Sequence, residues 1–286
     1  MKATLSSILL AGIVMFHTAA LAVVVELGTG VNAAAITPAR DAFRNDLGGG
    51  MVAGANGSFG GLRREINWDG VPDALSAPNN LPANFFNVNS PRGVVFATPG
   101  TGFQVSANSV MAPPIEFGNI DPTYPSTFAA FSAPRLFTPL GSNVVDVLFF
   151  VPGTNTPATV RGFGSVFTDV DLPGTTTIEY FAPDNTLIEI FAVPATPGSE
   201  TLSFLGVVFD AGERVARVRI TNGNTALGAG VTDQNGALRD LVVMDDFLYS
   251  EPQAIPEPAS MLMVTSGLAL SAMLRGALRR RARPQD

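Results

Sequence analysis

Between Asn143 and Tyr249 the chain is a succession of short β-branched and aromatic runs separated by turn residues, and this pattern restricts the fold more than any other feature. Val144 to Val151 is apolar on both faces except at Asp146, which predicts a central strand. Arg161 to Asp169 alternates, with Phe163 and Phe167 on one face and glycines on the other. Thr177 to Ala182 and Leu187 to Val193 flank Pro183-Asp184-Asn185, a turn whose asparagine tolerates the left-handed region. Ser203 to Phe209 follows, then Val215 to Thr221 with Arg217 and Arg219 outward against Val218 and Ile220, and last Val242 to Tyr249. The expected class is all-β: an antiparallel jelly-roll-like β-sandwich in which Val242 to Tyr249 closes beside an early strand.

The N-terminal half is less regular. Thr37 as N-cap, Pro38 at the first helical position, Phe43 and Leu47 four apart, and Gly48 as a stop predict one short helix. Gly48 to Gly61 contains seven glycines and reads as a mobile loop or loosely held hairpin. Glu65 to Gly70 reads as a short strand, and Asn79 to Asn89 as an irregular loop punctuated by Pro82. Gly93 to Ala97 and Phe103 to Ser106 are expected to form a hairpin across Thr98-Pro99-Gly100-Thr101-Gly102. Ala112 to Pro139, rich in proline and aromatics, reads as a packed connection.

Composition narrows the chemistry. The only histidine is His17, the only lysine is Lys2, and cysteine is absent. Beyond the first residues, Ser-His-Asp and Cys-His catalysis, Schiff-base chemistry, disulfides, Cys/His zinc sites and a P-loop are therefore excluded. Between Ile36 and Ala254, 11 arginines stand against 21 acids, a net charge near −10. Such a surface repels phosphate backbones, so nucleic acid is not an expected partner.

Both termini read as addresses. Met1-Lys2, an apolar run from Leu5 to Phe16, and Ala20-Leu21-Ala22 form a secretory signal peptide, with a later cut near Val31-Asn32-Ala33 or an uncleaved anchor as alternatives. At the other end Ala259 to Leu274 is an apolar run of 16 residues. As a helix it is about 24 Å long, short of the ~30 Å hydrocarbon core unless Arg275 snorkels and Ala277 and Leu278 extend it. Arg275, Arg279, Arg280, Arg281 and Arg283 follow, a basic flank that prefers the cytoplasmic side. The expected organisation is 1–35 signal peptide and leader, 36–63 helix and glycine-rich loop, 64–254 sandwich, and 255–286 tail.

Pro256-Glu257-Pro258, the apolar segment and the terminal arginines, in that order, resemble the PEP-CTERM sorting signal of exported proteins of Gram-negative bacteria. An ordinary C-terminal anchor has the same hydropathy. The resemblance implies a tail inserted transiently as a transmembrane helix and removed by an exosortase. It also implies a place at the cell surface or in extracellular matrix, linked to exopolysaccharide. Phe163 to Asp171 and Val243 to Phe247 look like segments of jelly-roll domains in other PEP-CTERM proteins, which implies fold alone.

Three constellations are candidate sites. Asp169, Asp171, Asp245 and Asp246 offer the hard oxygen ligands that Ca²⁺ takes, although strand-end aspartates also cap turns. Glu179 with Glu189, or Asp69 with Glu116, are carboxylate pairs of the kind glycoside hydrolysis needs. Trp68, Tyr124, Tyr180 and Tyr249 can stack on sugars if exposed and are core residues otherwise. No catalytic or cofactor-binding residue follows from these patterns. The expected role is binding or structural, with a carboxylate-dependent glycan-active enzyme as the alternative.

Overall fold

The structure, a computed structural model, describes residues 22–50, 52–108, 114–233 and 239–255. The Leu5 to Phe16 run, Pro256-Glu257-Pro258, the apolar segment behind it and the five terminal arginines lie outside the described residues. Among the described residues no helix is long and apolar enough to cross a membrane.

The first elements are β1 (Val23–Gly30), α1 (Ala33–Asp46), β2 (Ser58–Phe59), β3 (Arg63–Ile66), α2 (Phe85–Val88), β4 (Val94–Ala97) and β5 (Gly102–Val105). Then come β6 (Phe137–Leu140), β7 (Val144–Phe149), β8 (Ala158–Thr159), β9 (Gly162–Thr168), β10 (Thr177–Phe181) and β11 (Leu187–Ala192). The last are β12 (Leu202–Phe209), β13 (Arg217–Thr221), β14 (Val243–Ser250) and β15 (Gln253–Ala254). Among the described residues they form an eight-stranded sheet ordered β1-β12-β9-β14-β3-β2, with β6 also on β14 and β5 on β6. A five-stranded sheet runs β11-β10-β13-β7-β4, and β15 pairs with β8. The pairings are antiparallel.

The two sheets close on one apolar core. Phe163, Phe167, Val207, Phe247 and Tyr249 of the larger sheet meet Val145, Val147, Ile178, Tyr180, Val218 and Ile220 of the smaller. The β13 alternation holds: Arg217 and Arg219 stay on the outer face, where both bond Asp146 of β7. β7 itself alternates between buried and half-buried residues, because one of its faces is open to solvent. The turn at Pro183-Asp184-Asn185 joins β10 to β11, with Asn185 at φ 67°. β14 lies beside β3, the early strand.

The other face of the large sheet carries α1, and this explains the glycines of β9 and β12. Ile36, Phe43 and Leu47 pack against Val166, Phe204, Val208 and Leu248. A Cβ on Gly206 would come within 2.6 Å of the Phe43 ring, and one on Gly164 within 2.9 Å, so only glycine admits the ring. Burying Phe43 contributes about 1.5–3 kcal/mol.

Several expectations are corrected. The helix begins four residues before Thr37: Asn32 caps it, accepting from the Ala35 amide, and Pro38 lies inside. The Thr37 hydroxyl instead donates to the Ala33 carbonyl, so a cap-like Thr-Pro sits within the helix because Asn32 already supplies the cap. Residues 23–30, assigned to the leader, form β1 and pair along their full length with β12. Apolar β-branched valines suit a signal peptide and an edge strand equally, and only the partner strand distinguishes them. A cut near Val31-Asn32-Ala33 would remove that strand. The stretch from Gly48 is tied down, since the Arg63 guanidinium donates to the Gly49 and Gly50 carbonyls. The strand expected over Glu65 to Gly70 stops at Ile66, and Trp68 turns at φ 66°. Asn79 to Asn89 contains α2. Finally, β4 and β5 are strands but not a hairpin: β4 pairs with β7 and β5 with β6, so Thr98 to Thr101 crosses between the sheets.

Candidate metal centre

Three connections meet at one end of the sandwich: those from β9 to β10, β11 to β12 and β13 to β14. Backbone bonds lace them together, with the Asp169 amide on the Thr201 carbonyl at 2.9 Å and the Thr196 amide on the Val170 carbonyl at 2.8 Å. Asp169 follows β9 directly and turns at φ 69°, unusual for a residue with a side chain. This turn brings Asp169 and Asp171 together with Asp233, from the β13–β14 connection. One carboxylate oxygen of each lies within 4.8 Å of the others.

Their hydrogen bonding is uneven. Asp171 Oδ1 accepts from the Gly198 amide at 2.7 Å. Asp169 is 0% exposed, and among the described residues no amide or hydroxyl donates to either of its oxygens; its carboxyl meets that of Asp233 instead. Asp233 Oδ1 is likewise buried without an amide or hydroxyl donor among the described residues. Burial, followed by Asp233 and Asp171, pushes Asp169 up to about 10. Burial also pushes Asp233 up to about 6. Asp240 stands behind the three and is well provided: it accepts from the Asp171 and Leu172 amides and from the Thr175 hydroxyl. Its carboxyl is raised by burial against those bonds. Chemically, the cluster is a set of buried oxygen acceptors short of positive charge.

Asp245 and Asp246 do not join it. They form a bulge where β14 shifts register against β9. Asp245 accepts from the Phe131 amide at 2.6 Å and from the Ser132 amide and hydroxyl at 3.0 Å each. That hydroxyl has one proton, which the two carboxylates share, the nearer contact being Asp246 at 2.6 Å. These carboxylates hold the segment before β6 in place. Burial, then Asp246, raises Asp245 well above the usual range.

The paired-carboxylate candidates separate. Glu179 stands opposite Ile190 and Glu189 opposite Tyr180, so the two acids face opposite sides of the small sheet. Asp69 is set beside Asp246 and the Arg135 backbone, Glu116 beside Glu200 and the Ala130 backbone. The four aromatic candidates are core residues, none more than 1% exposed. Trp68 stacks on Phe137 with ring centres 4.1 Å apart and donates to the Asp245 carbonyl.

A concavity of about 430 Å³ lies between α1 and β3, lined among others by Arg40, Arg44, Asn56, Glu65, Arg92 and Asp246. Arg44 clamps Glu65 with two bonds of 2.7 Å, and Arg63 pairs with it as well. Arg92 makes no ion pair among the described residues; its Nε is buried without a partner and its guanidinium lies over Phe86. Sequence reasoning missed this pocket, Asp233 and Asp240. Isolated residues in irregular connections carry no periodic signal. No protein-family model matches the chain, and no curated protein matches it.

Proposed function

We propose that this is an exported protein, sorted at the inner membrane through Pro256, Glu257 and Pro258, processed by an exosortase and left at the cell surface or in matrix material. Its jelly-roll-like sandwich binds extracellular polysaccharide rather than transforming it. The described strands end at Ala254, directly before the sorting motif, which suits a folded domain carried ahead of a removable tail.

The observation that carries the binding reading is the cavity beside α1. It presents arginines, asparagines and carboxylates, groups that form directional bonds with sugar hydroxyls. Arg92, free of an ion pair among the described residues, adds a cation suited to an acidic sugar. Glu65 and Asp246 line the same cavity, and Asp246 is held above its ordinary range by burial, which favours glycan hydrolysis as a second reading. Against it, Glu65 is already bound by Arg44 and Arg63.

Affinity measurements of the full-length protein on uronate-containing and neutral polysaccharides test the proposal. Retention on the acidic polymer, weakened at least tenfold by Arg92→Ala, is expected. Equal binding by the variant overturns this assignment of the site, and release of reducing ends by the wild type overturns the non-enzymatic reading.

A further inference from the structure

We propose that Asp169, Asp171 and Asp233 bind one Ca²⁺ ion, which ties the β13–β14 connection to the end of the sandwich. The geometry suits that ion. Ca²⁺ takes oxygen ligands at about 2.3–2.6 Å, so two oxygens on one ion stand at most about 5 Å apart. The three carboxylates offer oxygens within 4.8 Å of one another.

An acidic cluster alone does not make a site, because exposed aspartates repel one another at little cost in water. Here the decisive member is Asp169, which is 0% exposed and aimed at the other two, and among the described residues neither of its oxygens receives a bond from an amide or hydroxyl. Buried polar atoms are ordinarily partnered, and a carboxyl group with both oxygens unserved is costly. A divalent cation supplies the missing charge and coordinates those oxygens at once. Nitrogen and sulfur ligands are absent from the cluster, which favours a hard cation.

The surroundings match a built centre. Asp171 is oriented by the Gly198 amide. Asp240 accepts from the Asp171 and Leu172 amides, and so fixes the backbone that carries Asp171. Asp233 is half-buried, leaving the remaining coordination places reachable by water. Three carboxylates supply three of the six to eight oxygens that Ca²⁺ requires. The ion would hold together two connections far apart in sequence, and it needs neither export nor sugar binding.

The test uses the full-length chain in detergent, freed of metal with chelator, and titrated with CaCl2 by calorimetry and thermal unfolding. One Ca²⁺ per chain is expected, with the unfolding midpoint rising by about 5–10 °C at a hundredfold excess over Kd. Asp233→Asn, on the half-exposed connection, weakens binding at least tenfold, while Asp184→Asn in the exposed β10–β11 turn leaves it unchanged. Should Asp233→Asn fail to fold, the wild-type stoichiometry and midpoint decide alone. No binding by the wild type at about 10 mM Ca²⁺, about ten to a hundred times an extracellular site's Kd, overturns the proposal. So does undiminished binding by a folded Asp233→Asn protein, and Mg²⁺ binding as tightly overturns the choice of calcium.

Discussion

Asp169-Val170-Asp171 and Asp245-Asp246 look alike in the sequence, two acidic pairs at strand ends, yet their surroundings in the fold are opposite. Asp245 collects two backbone amides and shares the Ser132 hydroxyl with Asp246, so donors offset part of its burial, which still raises its carboxyl. Asp169 is as deeply buried and collects none, facing other carboxylates instead. Thus the number of acids does not distinguish a brace from a site. The donors around them do, because a buried acceptor without a donor needs either a proton or a cation.

The comparison breaks most visibly at the brace. Asp245→Ala strands the Phe131 and Ser132 amides, each orphan costing about 1–3 kcal/mol, so urea denaturation is expected to show a loss of about 2–6 kcal/mol. The calcium response should survive in whatever fraction folds; its loss would mean that the two pairs are coupled. Asp169→Asn should behave in the reverse sense. An amide can donate to the neighbouring carboxylates, so in chelator the unfolding midpoint is expected to rise by about 2–4 °C, while the calcium-dependent increment disappears. A fall of the midpoint in chelator would show that Asp169 is a brace after all.

Glu116 is the intermediate case and the smallest effect. It accepts a backbone bond from Ala130, yet burial, and then Glu200, pushes it up to about 7. Because its folded value lies above the unfolded one, the stabilisation its acid form adds is complete below about pH 4.5 and is lost as pH rises through about 7. Glu116→Gln should flatten the stability profile across that window, measured by denaturation at successive pH values. An unchanged slope would place the titration elsewhere, with Asp69, raised to about 6, the next residue to replace.

Much of the sandwich could be read directly from local pattern. The outward Arg217 and Arg219, the Phe163 and Phe167 face and the Asn185 turn each depend on alternation or on one residue's backbone preference. Partner choice was not readable in this way. A Pro-Gly turn between two apolar runs suits a hairpin, but β4 and β5 separate into different sheets, β4 pairing with β7 and β5 with β6. The site was half visible: Asp169 and Asp171 stood out as a pair, whereas Asp233 and Asp240 stood alone in a long connection.

The sequence by itself determined the all-β class and removed histidine, lysine and cysteine chemistry from the domain, since composition and alternation are properties of neighbouring residues. Only the tertiary structure decided that residues 23–30 form a strand on β12, that Trp68 is walled in by phenylalanines, and that Asp233 completes the Asp169 cluster. Those facts depend on contacts between distant segments, where burial and the supply of hydrogen-bond donors are set by what the rest of the chain brings alongside.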